Sequence, residues 1–206
     1  MATDLSEGAL AVAAIGAMLR FPAVAYAWLR TFLVRRRFSS FRVGWVEVVT
    51  NFEPLVILVV GFFLFRTISG TAPATPAGAL IATLGAVVVL LGWAFQIWAF
   101  LSWTSLFAGH GVLDDQELMT RGAYSVVRHP AYSGVILVWL GLATAFVSPV
   151  VFAFAALYAI PIYVLYARAE ESMMLESFGD TYRDYCRDVP MLIPRFGAGQ
   201  GGAPAA

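Results

Sequence analysis

Long uncharged runs limit what this chain can fold into. Residues 77–103 contain no Asp, Glu, Lys or Arg, and neither do residues 130–167. About 20 apolar residues cross a bilayer as an α-helix, whereas a strand of a membrane barrel needs only about ten. Because 60% of the residues are hydrophobic and 13% are charged, a soluble fold could not cover its core with polar surface. The sequence therefore predicts an all-α integral membrane protein.

Five apolar segments are long enough to be membrane spans. They are residues 8–33, 45–65, 77–103, 130–147 and 149–167. Pro22 predicts a kink in the first segment, and Ser148-Pro149 is the one break between the last two, which predicts a tight antiparallel hairpin. We expect residues 1–196 to form a single membrane domain and the low-complexity residues 197–206 to be a disordered tail.

Arginine is distributed unevenly over the predicted loops. Five spans place ten Arg residues on one side and Arg66 alone on the other. By the positive-inside rule the Arg-rich side is cytoplasmic, so the N-terminus lies outside and the C-terminus inside. The first charges are Asp4 and Glu7 and no cleavage site follows, which is not typical of a signal peptide.

Several classes of site are disfavoured by the composition. The net charge is zero, so the chain carries no footprint for nucleic acid. His110 and His129 are the two histidines, and we expect no metal site. Phosphate-binding glycine loops and nucleophile elbows are missing from the sequence.

The densest polar cluster, residues 121–134, lies directly before the hairpin. Tyr124, Arg128, His129 and Tyr132 surround the predicted helix start, and small residues beside them would admit a flat ring. The alternative is a simple helix start at Pro130, with Arg128 reaching lipid phosphates.

A second cluster, residues 168–185, begins where the hairpin ends. Its apolar residues recur at near-helical spacing, which predicts an amphipathic cytoplasmic segment broken at Gly179. Glu170 and Glu171 are either solvated charges or, if the hairpin closes, partners of the first cluster. Aromatic rings, Arg and paired carboxylates suit a ligand with a flat base, a carboxylate and a cationic centre, such as S-adenosylmethionine.

The order of these motifs resembles the isoprenylcysteine carboxyl methyltransferase family and, more loosely, the phospholipid methyltransferases. The resemblance rests on G-x-Y at Gly122, R-H-P-x-Y-x-G at Arg128, E-E at Glu170, then F-G, Y-x-x-Y and P-x-x-I-P-R ending at Arg195. It covers residues 110–195 and implies a membrane enzyme, here expected in a bacterial inner membrane, that uses S-adenosyl-L-methionine.

The resemblance and the residue chemistry together predict the site. The expected cofactor contacts are Tyr124, Arg128, His129, Pro130, Tyr132, Gly134, Glu170 and Glu171. Many relatives carry a basic residue near the end of the fifth span, where this chain has Tyr166. Arg168 is the nearest basic residue, so we predict catalytic roles for Glu171 and Arg168.

The acceptor is predicted to be a lipophilic small molecule or lipid with a carboxylate, thiol or amine. Arg20 and Glu53 lie in the first two apolar segments, where a charge costs at least about 2.5–3.5 kcal/mol. They are either acceptor contacts or a structural ion pair, and Glu47 is either part of the same polar strip or an interfacial residue beside Arg42.

Two other functions fit a small membrane protein of this kind. A sterol-type reductase would use NADPH and needs basic residues for its 2′-phosphate, which are scarce near the predicted site. A transporter or scaffold would be expected to show internal repeats, and the sequence has none.

Overall fold

The computed structural model describes residues 2–34, 38–42, 44–103, 110–113 and 116–195. Within these residues there are seven α-helices and two strands: α1 (Ala2–Met18), α2 (Arg20–Val34), β1 (Phe38–Arg42), α3 (Trp45–Thr71), α4 (Pro76–Ser102), β2 (His110–Leu113), α5 (Pro130–Ala145), α6 (Pro149–Phe154) and α7 (Ile160–Asp188). A 3₁₀ helix occupies Gly122–Ser125, and a π-helical turn, Ala155–Ala159, joins α6 to α7.

In the described part of the chain, four helical stretches are long and apolar enough to cross a membrane. They are Ala2–Ala27, Val48–Thr71, Pro76–Ser102 and Pro149–Asp188. The fifth apolar helix, Pro130–Ala145, is shorter, and its 16 residues span only about 24 Å at 1.5 Å per residue. The prediction of an integral membrane protein with about five apolar helices is confirmed.

The first predicted span is two helices that meet at Leu19. Pro22 has no N–H to donate to the carbonyl of Met18, and its ring crowds that carbonyl. The chain therefore leaves helical geometry at Leu19 and resumes it at Arg20. The interruption that the sequence predicts at Pro22 lies three residues earlier, and it places the charged Arg20 at a helix junction.

Helices α4 and α5 pack with their backbones almost touching. A Cβ atom on Gly92 would lie 2.6 Å from the carbonyl oxygen of Gly134, and one on Gly141 would lie 2.7 Å from that of Gly85. Only glycine permits this approach. The buried residues of both helices, including Trp139, join one hydrophobic core.

The predicted hairpin is present. Helix α5 ends at Ala145, and the Ser148 hydroxyl accepts a hydrogen bond from the N–H of Val151 to cap α6. The chain then continues through α7 to Asp188, well beyond the predicted span, with a non-helical kink at Gly179, where φ is 56°. The predicted break at Gly179 is therefore confirmed.

One helix boundary and two strands differ from the sequence-based expectation. Helix α3 continues to Thr71, so the loop predicted to begin at Arg66 begins six residues later. Strands β1 and β2 pair antiparallel, Arg42 opposite His110, in stretches predicted to be loops, because pairing across 68 residues leaves no local pattern. The predicted tail and the side chain of Glu47 lie outside the described residues.

Candidate functional site

The two polar clusters meet at the start of α5. His129 is the residue before the first turn of α5, and Glu170 and Glu171 lie on α7 one turn beyond the membrane hairpin. Each cluster is local in sequence, but 42 residues separate His129 from Glu171. The hairpin is what brings them together.

A C-terminal strap, residues 189–193, holds the first cluster by its backbone. The N–H groups of Arg128 and His129 donate to the carbonyls of Pro190 and Met191 at 2.9 and 3.1 Å. The Ser133 hydroxyl donates to the carbonyl of Leu192 at 2.7 Å. The N-terminus of α5 is therefore fixed by the chain that follows α7.

Four charged side chains form a compact cluster beneath the strap. Arg128 binds Glu171 through Nε and Nη2, both 2.7 Å from Oε1, and its Nη1 donates to the carbonyls of Cys186 and Val189. The Nε2 of His129 lies 3.2 Å from Glu171 Oε1, and its Nδ1 lies 3.4 Å from Glu170 Oε2. With His129 protonated, two cations face two carboxylates.

The two carboxylates favour the protonated form of His129. Burial on its own lowers the pKa of His129, but the hydrogen bonds and negative charges of Glu170 and Glu171 outweigh it. The pKa is therefore raised above its ordinary value of 6.5. Burial also raises the pKa of Tyr124 well above its usual range, so that its hydroxyl stays neutral.

A cleft opens beside this cluster, with an open volume of about 550 Å³ that includes its mouth. Among its walls are Glu170, His129 and the aromatic side chains Trp103, Tyr124, Tyr132, Tyr182 and Tyr185. Met119 and Met174 complete the apolar part of the wall. The cleft thus combines one carboxylate with several aromatic side chains.

Tyr132 occupies a central position in the wall. Its hydroxyl donates to Glu170 Oε2 at 2.7 Å. Its ring stacks on His129, with centroids 5.3 Å apart and planes within 7°. The other neighbours of the ring are Tyr163 and Tyr166, whose centroids lie 5.5 and 5.4 Å away.

The structure brings together most, but not all, of the predicted site residues. Tyr124, Arg128, His129, Pro130, Tyr132 and Glu170 line the cleft. Glu171 lies behind them, bound to Arg128 and His129. Gly134 faces Gly92 and Gln96 of α4, and Arg168 is exposed to solvent; neither is a lining residue.

Some lining residues were not predicted as ligand contacts. Trp103 follows α4, and its ring meets that of Tyr124 edge-on at 6.2 Å. Gln116, Leu118 and Met119 lie in an extended segment without a regular pattern. A Trp at the end of a membrane helix is typical of the lipid interface, so its residue type gave no indication of this role.

Arg20 and Glu53 are ion-paired, with 3.2 Å between Nε and Oε2. Neither lines the cleft. Among the described residues, no group of three His, Cys, Asp or Glu could hold a metal ion.

The match to a known protein family falls largely on the part of the chain that forms the cleft. A family model described as phospholipid methyltransferase matches residues 80–181. A methanethiol S-methyltransferase of Pseudomonas deceptionensis is 31% identical over 153 residues, which are 68% of this chain and 55% of the relative. The protein-S-isoprenylcysteine O-methyltransferase of Schizosaccharomyces pombe is 36% identical over 39% of this chain and 34% of its own.

A third relative is the protein-S-isoprenylcysteine O-methyltransferase B of Arabidopsis thaliana, 29% identical over 39% of this chain and 41% of its own. The chain belongs to the isoprenylcysteine carboxyl methyltransferase-like family. The predicted resemblance is thereby confirmed. The chain spans about half the length of the Pseudomonas relative and less of the other two.

The family model covers only part of the site. Its range, residues 80–181, includes most of α4, all of α5 and the Glu170-Glu171 pair. The strap, Tyr182 and Tyr185 follow this range, and Arg20 and Glu53 precede it. In this member of the isoprenylcysteine carboxyl methyltransferase-like family, the cleft is thus completed by residues that the family model does not reach.

Proposed function

We propose that this protein is an integral membrane methyltransferase that transfers a methyl group from S-adenosyl-L-methionine to a lipophilic or small acceptor. The observation that carries the proposal is the cleft at the end of the hairpin, where Glu170 lies among five aromatic rings. The names of the relatives, methanethiol and isoprenylcysteine methyltransferases, support the same chemistry.

The residues of the cleft fit this cofactor. S-adenosyl-L-methionine supplies a methyl group already activated on a sulfonium centre. The carboxylate of Glu170 and the faces of Tyr124 and Tyr182 stabilise such a cation. Tyr132 holds the carboxylate in place with its hydroxyl. The chain's main contribution is alignment, which can supply roughly 7–11 kcal/mol in favourable cases.

The polar end of the cofactor needs other partners than those first predicted. Arg128 already binds Glu171 and two backbone carbonyls. We therefore assign Arg128 and Glu171 to holding His129 and the strap in place. Gln116 also lines the cleft, and we propose it, with backbone groups of the cleft wall, as a contact for the amino acid portion of the cofactor.

The acceptor determines whether a base is needed. A carboxylate or thiolate attacks directly, whereas a thiol or an amine must lose a proton. From the sequence, Glu171 or His129 is the candidate for this role. Glu171 Oε1 is bound to Arg128 and His129, and the neighbouring carboxylates favour the protonated form of His129. Glu170 lines the cleft, so we propose Glu170 as the proton acceptor when one is required.

The exposed position of Arg168 gives it no contact with the cleft, and its catalytic role stays a prediction. The same holds for acceptor contacts by Arg20 and Glu53. Three acceptors separate the chemical classes: a prenylated-cysteine analogue, phosphatidylethanolamine and a small alkyl thiol. The acceptor that turns over identifies the class.

The decisive experiment compares the binding of two classes of cofactor. Purified protein in detergent is titrated with S-adenosylhomocysteine, S-adenosylmethionine and NADPH. We expect the two adenosyl compounds to bind and NADPH not to bind, because Arg128 and His129 are already paired with carboxylates. Binding of NADPH alone would support a reductase instead.

Glu170→Gln tests where the sulfonium lies. Loss of this negative charge should weaken S-adenosylmethionine more than the uncharged thioether S-adenosylhomocysteine. Glu176→Gln, the same change at an exposed position of α7, is the matched control. Equal weakening of both compounds by Glu170→Gln would move the sulfonium away from Glu170.

We further propose that the cleft faces the cytoplasm of a bacterial cell, with the C-terminus inside and the N-terminus outside. The support is the unequal distribution of Arg over the loops. A cysteine introduced in residues 72–75, between α3 and α4, should react with an impermeant thiol reagent from outside. Reaction only after the cells are opened would reverse the orientation.

A further inference from the structure

A second polar cluster lies in the interior of the helix bundle, and five helices each contribute one side chain to it. Arg20 of α2 donates to Gln96 of α4 at 3.1 Å and to the hydroxyl of Tyr163 of α7 at 2.7 Å. Glu53 of α3 accepts from Trp139 of α5 at 2.8 Å and from Tyr163 at 2.9 Å. We name this group the buried network.

The buried network is enclosed almost completely. Glu53 and Trp139 have no exposed surface, and Tyr163 is 2% exposed. The guanidinium carbon of Arg20 also lies 6.0 Å from the centroid of the Tyr163 ring. An enclosed ion pair of this kind is often no more stabilising than apolar residues of similar volume. Its energy alone does not account for its presence.

One member of the buried network also contacts the cleft wall. The ring of Tyr163 lies 5.5 Å from that of Tyr132, centroid to centroid. The Tyr163 hydroxyl is held by an arginine and a glutamate together, so its ring has little freedom to rotate. Tyr132 in turn orients Glu170 with its hydroxyl and stacks on His129.

We propose that Tyr163 is a positioning residue for the cofactor site. Held by Arg20 and Glu53, it fixes the ring of Tyr132 and, through Tyr132, the carboxylate of Glu170. The assignment rests on the proposed function, because it is measured by cofactor affinity. It gives Arg20 and Glu53 a role that requires no contact with the acceptor.

The test removes one hydroxyl and keeps the ring. Tyr163→Phe frees the ring from Arg20 and Glu53. Tyr158→Phe is the matched control: its hydroxyl donates to the carbonyl of Val49 at 2.9 Å, also between α3 and the hairpin, and Tyr158 does not line the cleft. Both are measured at a temperature where far-ultraviolet circular dichroism shows the folded protein.

We expect Tyr163→Phe to weaken S-adenosylhomocysteine binding and to lower kcat, each by about tenfold, since a displacement of about 1 Å can cost roughly 100-fold in rate. Tyr158→Phe should leave both nearly unchanged. In a Tyr132→Phe background, Tyr163→Phe should have little further effect, because the link to Glu170 is already cut. A purely structural role would not give this loss of additivity.

The possible outcomes separate two failures. If the wild type does not bind S-adenosylhomocysteine, both the proposed function and the role of Tyr163 are refuted. If the wild type binds and Tyr163→Phe binds equally well, or if its effect adds fully to that of Tyr132→Phe, only the role of Tyr163 is refuted. Equal losses in Tyr163→Phe and Tyr158→Phe refute it as well.

A second variant covers the case in which Tyr163→Phe does not fold. Trp139→Phe removes the N–H that donates to Glu53 and keeps a ring in the core. It loosens the carboxylate that holds Tyr163, so we expect a smaller loss of S-adenosylhomocysteine affinity in the same direction. Wild-type affinity in folded Trp139→Phe would refute the proposal.

Discussion

Among the residues that the structure describes, two arginine–glutamate pairs are found, and they differ in what else they contact. Arg128 and Glu171 lie behind an open cleft, and the Glu171 side chain keeps 17% of its surface exposed. Arg20 and Glu53 lie inside the bundle, and Glu53 keeps none. The first pair holds a histidine and a backbone strap, whereas the second holds only side chains of other helices.

The comparison shows that similar charges have different consequences in different surroundings. Near the cleft, water and a ligand can replace a lost partner. In the bundle nothing replaces it, so the remaining charge is left in an apolar medium. Removing one charge of the interior pair should therefore cost more stability than removing one charge of the pair at the cleft.

Arg20→Met should have the largest effect on stability. It leaves the carboxylate of Glu53 buried without its cation, which costs about 3–5 kcal/mol. Thermal unfolding in detergent measures the loss. The double variant Arg20→Met/Glu53→Leu should recover much of it, because both charges are then gone. A double variant as unstable as the single one would contradict this account of the buried pair.

Glu171→Gln should have the next largest effect, of about 1.5–3 kcal/mol, since it weakens hydrogen bonds from two cationic groups. It should also weaken S-adenosylhomocysteine binding, because Arg128 and His129 at the cleft lose their anchor. Glu176→Gln on the same helix serves as the control. A loss of stability with unchanged affinity would make Glu171 a structural residue only.

Glu53→Gln leaves Arg20 without its anion and so also lowers stability, but its effect on the cofactor site should be smaller, because glutamine can still accept hydrogen bonds from Trp139 and Tyr163. We expect cofactor affinity to fall about twofold to tenfold, the scale of one hydrogen bond. Isothermal titration and steady-state kinetics on the same preparation measure it. A rise in the acceptor KM with unchanged cofactor affinity would instead support the acceptor contact predicted from sequence.

The smallest expected difference between the two pairs is in how stability depends on pH. The pKa of His129 is raised in the folded protein, so its contribution to stability is complete below about pH 6.5 and is lost as the pH rises through the higher folded value. A tenfold gain in proton affinity on folding corresponds to about 1.4 kcal/mol of stability. Arg20 stays charged throughout this range.

The measurement compares thermal unfolding at about pH 6 and about pH 9 for the wild type and for His129→Gln. The wild type should lose stability toward the higher pH, and the variant should lose less. An equal loss in both would assign the pH dependence to other groups.

The sequence predicted those parts of the fold that depend on a local pattern of residues. Uncharged runs predicted the apolar helices, Gly179 predicted the kink, and the density of polar residues predicted both halves of the cleft. What sequence could not give was contact between distant segments. The antiparallel pairing of Arg42 with His110 and the bonds from Arg128 and His129 to the strap join backbone atoms, which leave no mark on residue type.

The same limit explains the individual site residues that differ. Gly134 belongs to the predicted motif, and small size suits both ligand approach and helix packing; the structure shows the second use, against Gly92. Arg20 and Glu53 were left between two interpretations because composition cannot say which charge lies opposite which. The structure shows the pair.

The glycine contacts between α4 and α5 restrict where this molecule can change shape. Because the two backbones meet at Gly92 and Gly134 with no side chain between them, sliding one helix along the other would drive main-chain atoms together. The seam between α5 and α7 is different, since side chains fill it: the tyrosine rings of residues 132, 163 and 166. Of these two seams, the tyrosine seam is the one that a change of side-chain contacts could widen without a collision of main-chain atoms.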